Sequence, residues 1–323
     1  MSELRRKSFT STIGLTQVPP GPYADDMARK IRTARMKRPP KPRVPQETVA
    51  TPITGPIVGI LPTAYTPHAG QNYVVGASLD SYGNAGGSQY DLIDDGAIDG
   101  AKVVIVNLCN EAHLTYPTAA LEKKGFTVVG LSGARSWTGA ELAEQLTDAA
   151  EMWIISDSSG HLSAGAVDEI ESFFHSGRGL YIWGDNEPYY VDANALLERL
   201  FGVRMFGNTP GDHVISILRE GHNVGLIPGH LLSTGIQNVY EGITIAEVPT
   251  TEALRPMMYG SNGRVVTAFY DEDGCRVIAD GGFTRLYHKW ESAGTERYVV
   301  NAAAWLLNME RFTAPGAPEL VRS

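Results

Sequence analysis

Cysteine is nearly missing from this chain of 323 residues: Cys109 and Cys275 are the two present, far apart and in no Cys-x-x-Cys pairing. That excludes a disulfide framework and predicts a reducing, cytoplasmic setting. No apolar stretch approaches the roughly 20 residues of a membrane span. The basic start at Arg5, Arg6 and Lys7 is followed by no apolar leader core, so no signal peptide is predicted. The eight histidines form no His-x-His or His-Glu-x-x-His pattern, which leaves no metal site to predict. No Gly-x-Gly-x-x-Gly follows the first apolar strand and no phosphate-loop motif occurs, so no cofactor is expected.

What is present is the composition of a globular α/β protein. Apolar residues make up 43% of the chain and charged residues 20%, enough to build a sizeable core. The net charge of −9 conceals an asymmetry. Residues 1–45 carry eleven basic and three acidic side chains, a local charge of +8, which leaves −17 for the rest. Arg5, Arg6, Lys7, Arg32, Arg35, Lys37 and Arg38 dominate this arm. A basic arm on an acidic body favours docking on a neighbouring copy or another acidic protein. Nucleic acid and an anionic membrane are weaker targets for it. Aromatic interleaving is limited to Tyr23, and the acidic body repels phosphates.

Prolines at 19, 20, 22, 39, 40, 42 and 45 predict an extended basic arm over 1–50. Residues 51–100 give no clear architecture. Pro56–Pro62 and Asn72–Ala77 read as short strands in a segment that wraps over the main body. From residue 101 apolar runs alternate with helical periodicity. Strands are predicted at 101–108, 126–131, 152–156 and 180–183, and helices at 117–124, 163–176 and 192–201. Thr138 and Glu141 form a capping-box signature for another helix. Later strands are expected at 213–218, 243–247, 265–270 and 275–279, the last two joined by the turn Asp271-Glu272-Asp273-Gly274. A final helix is predicted over 295–309, and a loose tail over 313–323. The fold class is a flavodoxin-like parallel sheet with helices on both faces, a C-terminal β-hairpin addition and an extended N-terminal arm.

Ligands of open parallel sheets sit beyond the carboxyl ends of the strands. That rule gathers Asn110 and His113, then Asp157, Ser158, Ser159 and His161, then Asp185, Asn186 and Glu187, then Asp280 with His288 further on. Carboxylates, imidazoles and amides at one rim suit acid–base work. The same residue types also cap the helices that follow strands. The aromatics Tyr181, Trp183, Tyr189 and Tyr190 near the 184–190 corner either stack a sugar or peptide side chain or pack the core.

Three stretches carry a resemblance: Trp153–Leu162 leading into its helix, Gly179–Phe201, and Asp280-Gly281-Gly282-Phe283 running into the last helix. With them, residues 101–312 resemble the class I glutamine amidotransferase-like superfamily. The likeness is nearer to its non-catalytic branch, the GIFT domain of intraflagellar-transport proteins and related uncharacterised bacterial families. The His230–Ile236 loop is similar to one in such relatives. Catalytic members carry Gly-x-Cys-x-Gly-x-Gln at the strand–turn–helix elbow. Here Gly184 matches the first glycine, Asn186 stands in the cysteine position, Pro188 replaces the second glycine and Tyr190 the glutamine. The usual His-Pro-Glu partner is also missing, with His288 and Glu291 only a weak echo of it. An asparagine amide is a poor nucleophile, so the resemblance implies the fold and argues against glutaminase chemistry. Cys109 follows the first strand instead of occupying the elbow.

The expectation is therefore a non-catalytic binding or assembly protein with a docking arm. The alternative is a hydrolase acting on a sugar or amide through Asp185 or Glu187 with His113.

Overall fold

The computed structural model describes residues 95–308, apart from 99, 111 and 291–293. The basic arm and both strands expected before residue 78 lie outside the described residues.

The alternating apolar runs become β1 (Lys102–Asn107), α1 (Thr115–Lys123), β2 (Thr127–Ser132), α2 (Gly139–Leu146), β3 (Ala149–Ile155), α3 (Ala164–His175), β4 (Gly179–Trp183) and α4 (Val191–Phe201). Local chemistry sets several boundaries. The Thr138 hydroxyl accepts the Glu141 N–H, and Glu141 reaches back to the Thr138 N–H, closing the capping box that opens α2. The Ser163 hydroxyl accepts the Ala166 N–H at the start of α3. Gly202 ends α4 in the left-handed region, φ 67°.

A long excursion follows α4. It contains β5 (Phe206–Pro210), β6 (Val214–Ser216), β7 (Gly225–Leu226), β8 (Asn238–Tyr240), β9 (Thr244–Glu247), β10 (Arg255–Tyr259) and β11 (Val265–Glu272). The chain then returns to the sheet centre as β12 (Cys275–Asp280) and closes with α5 (Thr295–Leu306).

The main sheet has eight strands in the order β2-β1-β3-β4-β12-β11-β10-β7. The pairs β2–β1, β1–β3, β3–β4 and β4–β12 are parallel. That half has the flavodoxin-like 2-1-3-4-5 order, with β12 as its fifth strand. The remaining pairs are antiparallel, so the full sheet is mixed. The expected hairpin is present, with Asp273 and Gly274 both at positive φ as a two-residue hairpin turn favours. Its second strand does not lie outside the parallel core but completes it, because the β12–β4 pairing is parallel.

Both faces of the sheet are buried. Val103, Ile105, Trp153, Ile155, Tyr181, Trp183 and Ile278 point to the face covered by α1 and α5. Val104, Val106, Met152, Ile154, Leu180, Ile182 and Val277 point to the face covered by α2, α3 and α4. The period-2 alternation thus feeds two cores, and each fully buried aliphatic side chain contributes about 2 kcal/mol. The helix α5 is buried on nearly every side, since the 230–236 loop closes its outer face. Arg297 Nη1 donates to Gly235 O (3.0 Å), and Asn301 Nδ2 donates to Thr234 O (2.8 Å).

The pairs β5–β9 and β6–β8 form two small antiparallel sheets of their own. The Ala246 N–H donates to Gly281 O (2.8 Å), which brings β9 beside the end of β12. A Cβ on Gly281 would lie 2.4 Å from Ala246 O, so only glycine admits this approach. That contact carries residues 241–247 over the strand ends.

Candidate functional site at the strand ends

The elbow after β4 is anchored through its backbone. Gly184 N donates to Asp280 O (2.8 Å), Phe283 N donates to Gly184 O (3.0 Å), and Glu187 N donates to Gly207 O (3.0 Å). A Cβ on Gly184 would sit 2.7 Å from Met205 Sδ and 3.1 Å from Tyr190 Cβ. The peptide Glu187-Pro188 is cis.

Three consecutive polar side chains leave the elbow in different directions. Asp185 is buried, Asn186 half-buried and Glu187 exposed. Asp185 Oδ1 accepts the Asn186 N–H (2.7 Å) and lies 2.8 Å from Thr244 Oγ1, while Oδ2 accepts the Thr284 N–H (3.2 Å). Burial pushes the Asp185 carboxyl up to about 6; hydrogen bonds from Asn186, Thr244 and Thr284 hold it from rising further. The Asn186 carboxamide is engaged at both ends, with Nδ2 donating to Glu187 O (2.9 Å) and Oδ1 2.6 Å from Thr244 Oγ1.

Asp280, at the end of the adjacent β12, is fully buried against Arg285, which is equally buried, at 2.9 Å. Thr267 Oγ1 (2.9 Å) and Gly282 N (3.1 Å) donate to it as well. Burial pushes its carboxyl upward, with Arg285 the strongest opposing influence. Arg285 also donates to Gly282 O and Glu241 O. The indole Nε1 of Trp183 and the hydroxyl of Tyr298 are buried without hydrogen bonds. Tyr181 and Trp183 stack on each other at 4.1 Å inside the core and present nothing to a ligand, while Tyr189 and Tyr190 are half-buried.

The segment after β3 brings serine, histidine and aspartate together without forming a relay. Asp157 Oδ2 (3.0 Å) and Ser159 Oγ (3.4 Å) both approach His161 Nε2, so one nitrogen serves both partners. A nucleophilic triad needs the acid and the hydroxyl on opposite nitrogens. Ser158 reaches Asp157 at 3.5 Å. Behind this segment the buried Asp192 accepts the His161 and Leu162 N–H groups and fastens it to α4.

Other expected rim residues stand apart. Asn110 is exposed. His113 is exposed with its ring edge-on to Tyr287 (5.8 Å), and Tyr287 in turn meets His288 (5.2 Å). Neither histidine is hydrogen-bonded to Asp185 or Glu187, so the acid–base pair expected across the rim is not assembled. Cys109 and Cys275 are both buried. Among the described residues no three His, Cys, Asp or Glu side chains cluster closely enough to hold a metal ion. None of their helices is long and apolar enough to cross a membrane.

A second polar group escaped the sequence reading because its members come from the excursion. His213 Nδ1 lies 3.1 Å from Oε1 of the fully buried Glu241, whose Oε2 accepts the Ser261 N–H (2.7 Å). Beside it Asp212 accepts from Tyr240 OH (2.8 Å) and pairs with Lys289 (2.9 Å). Asp212 and Lys289 both have positive φ (65° and 48°), a strained conformation for side-chain-bearing residues. The Lys289 hydrogen bond holds the Asp212 carboxyl below its usual range. Thr244 and Thr284 went unnoticed for the same reason: no local motif marks them, and only the tertiary fold brings them to the elbow.

No protein-family model matches the chain, and no curated protein matches it by sequence. Solved structures resemble it at low identity. Cytoplasmic Protein STM1381 from Salmonella typhimurium LT2 is 12% identical at a TM-score of 0.45, over 65% of this chain and 98% of that one. Cytoplasmic Protein STM3548 from Salmonella typhimurium is 11% identical at 0.41, over 63% and 98%. PurLQS from Thermotoga maritima is 9% identical at 0.37, over 64% and 99%. Likenesses this weak carry no argument about activity.

Proposed function

We propose that the chain is a non-catalytic, amidotransferase-like binding and assembly protein of the cytoplasm. Its strand-end rim serves as a gripping surface, and its basic arm docks on the acidic body of a neighbouring copy or of another acidic protein. One observation carries the reading: the side chain at the elbow tip is Asn186, a carboxamide already hydrogen-bonded at both ends. Thiols near the strand ends do not replace it, since Cys109 is buried. The opposed charges of arm and body favour association that weakens with salt.

The test is light scattering on the full chain and on a variant lacking residues 2–45, at low and high salt. Full-length protein is expected to assemble at low salt and to dissociate at high salt, with the truncated form smaller throughout. Truncated protein that assembles as the full chain does would overturn the role of the arm. Nucleic acid or anionic vesicles that capture the arm more tightly than a second copy does would redirect it.

The rival reading, a hydrolase using Asp185 or Glu187 with His113, has one observation in its favour. Asp185 titrates near 6, in the range useful to a general acid. That carboxyl is buried, with its oxygens engaged by Asn186, Thr244 and Thr284, and is not presented to a substrate at the surface.

A further inference from the structure

Hydrogen-bond counting at the elbow leaves one arrangement of protons. Glu187 O can only accept, so the Asn186 atom facing it at 2.9 Å is the amide nitrogen. The other amide atom, 2.6 Å from Thr244 Oγ1, is therefore the carbonyl oxygen, which also can only accept. The single hydroxyl proton of Thr244 is used on Asn186. Yet the same Thr244 oxygen lies 2.8 Å from Asp185 Oδ1. That contact is a hydrogen bond in its own right only if the carboxyl supplies the proton.

We infer that Asp185 is a protonated acid in this arrangement and a positioning residue for Asn186: Asp185 Oδ1 donates its proton in a hydrogen bond to Thr244 Oγ1, whose own hydroxyl proton is donated to Asn186 Oδ1. Asp185 Oδ2, as the carbonyl oxygen, accepts from Thr284 N, and the protonated Oδ1 still accepts from Asn186 N. When the acid gives its proton to water, the Thr244 hydroxyl turns to the new carboxylate. Asn186 Oδ1 then loses its donor and the carboxamide is released from the elbow.

The surroundings allow this titration. Glu187 on the elbow is exposed. Glu247 on β9 points to Arg264 (3.9 Å), and Glu241 to His213. Asp280 is matched by Arg285. None of these charged groups is hydrogen-bonded to Asp185, so among the described residues no cation holds its charged form. Burial raises the titration of this carboxyl to about 6. This deepens the proposed gripping role of the elbow, and it predicts a grip that changes between acidic and neutral pH.

The test uses the isolated protein, so it succeeds or fails independently of any assembly. Carboxyl carbons of Asp and side-chain amides of Asn are followed by NMR from pH 4.5 to 8 in the wild type, Asp185→Asn and Thr244→Val. One Asp resonance, absent from Asp185→Asn, is expected to titrate near pH 6, with the Asn186 amide shifting at the same midpoint. Asp185→Asn has no carboxyl to titrate, so its Asn186 amide is expected to show no midpoint near pH 6. Thr244→Val is expected to leave the carboxyl titrating while Asn186 no longer follows it. An Asp185 titrating in the ordinary carboxylate range, or an Asn186 amide unmoved while Asp185 titrates, would overturn the inference.

Discussion

Two neighbouring strand ends bury one aspartate each, and they do so by opposite means. Asp280 at the end of β12 has a guanidinium beside it; Asp185 just beyond β4 has only hydroxyls and amides. Both side chains are essentially inaccessible. A buried carboxyl with a matched cation is fixed in place and ties elements together. One without a cation stays poised to take up or lose a proton.

The largest effect that would break the comparison is Arg285→Met. It leaves Asp280 buried without its counter-charge and also removes the donors to Gly282 O and Glu241 O. A loss of about 3–5 kcal/mol is expected in urea unfolding. A cost below about 1 kcal/mol would show that Asp280 does not depend on its arginine.

Next comes the pH dependence of Asp185, whose carboxyl is raised from 3.8 to about 6. The raised value means the folded state favours the acid. The stability contributed is full below about pH 3.8 and is lost as pH rises through about 6, a change of roughly 3 kcal/mol. Asp185→Asn lacks this loss. Its stability relative to wild type is expected to rise by about 2.5 kcal/mol between pH 4 and pH 7.5, in paired unfolding curves. Parallel curves across that range would place Asp185 with Asp280 after all.

The smallest effect is that of Gly184→Ala, which forces Met205 and Tyr190 apart behind the elbow. About 1–3 kcal/mol of destabilisation is expected, read as a lower urea midpoint with an unchanged slope.

Much of this fold was legible in the chain. The runs at 101–108, 152–156 and 180–183 are apolar on both faces, as buried strands of a parallel sheet are, while 126–131 became a partly exposed edge strand. The Thr138–Glu141 capping box also marked the start of a helix. The excursion was harder. Phe206–Pro210, Asn238–Tyr240 and Arg255–Tyr259 are short, and two of them contain a proline, so their strand character comes from their partners. The site divided in the same way. Asp185, Asn186 and Asp280 could be placed at the rim because they follow strands directly. Thr244, Thr284, Glu241 and His213 have no local signal, since each acts on a residue tens of positions away; Arg285 lies five positions from Asp280 but in no motif that marks the pair. His113 packs edge-on against Tyr287 and is not hydrogen-bonded to Asp185 or Glu187.

The aromatic stack beneath the elbow has a practical consequence. Trp153, Tyr181 and Trp183 lie in ring contact on one face of β3 and β4, all fully buried. Chromophores locked this closely couple their transitions and give an intense near-ultraviolet circular dichroism signal that vanishes when the sheet loosens. The molecule therefore carries an internal optical gauge directly under its elbow, and changes made at the rim can be followed there without a label.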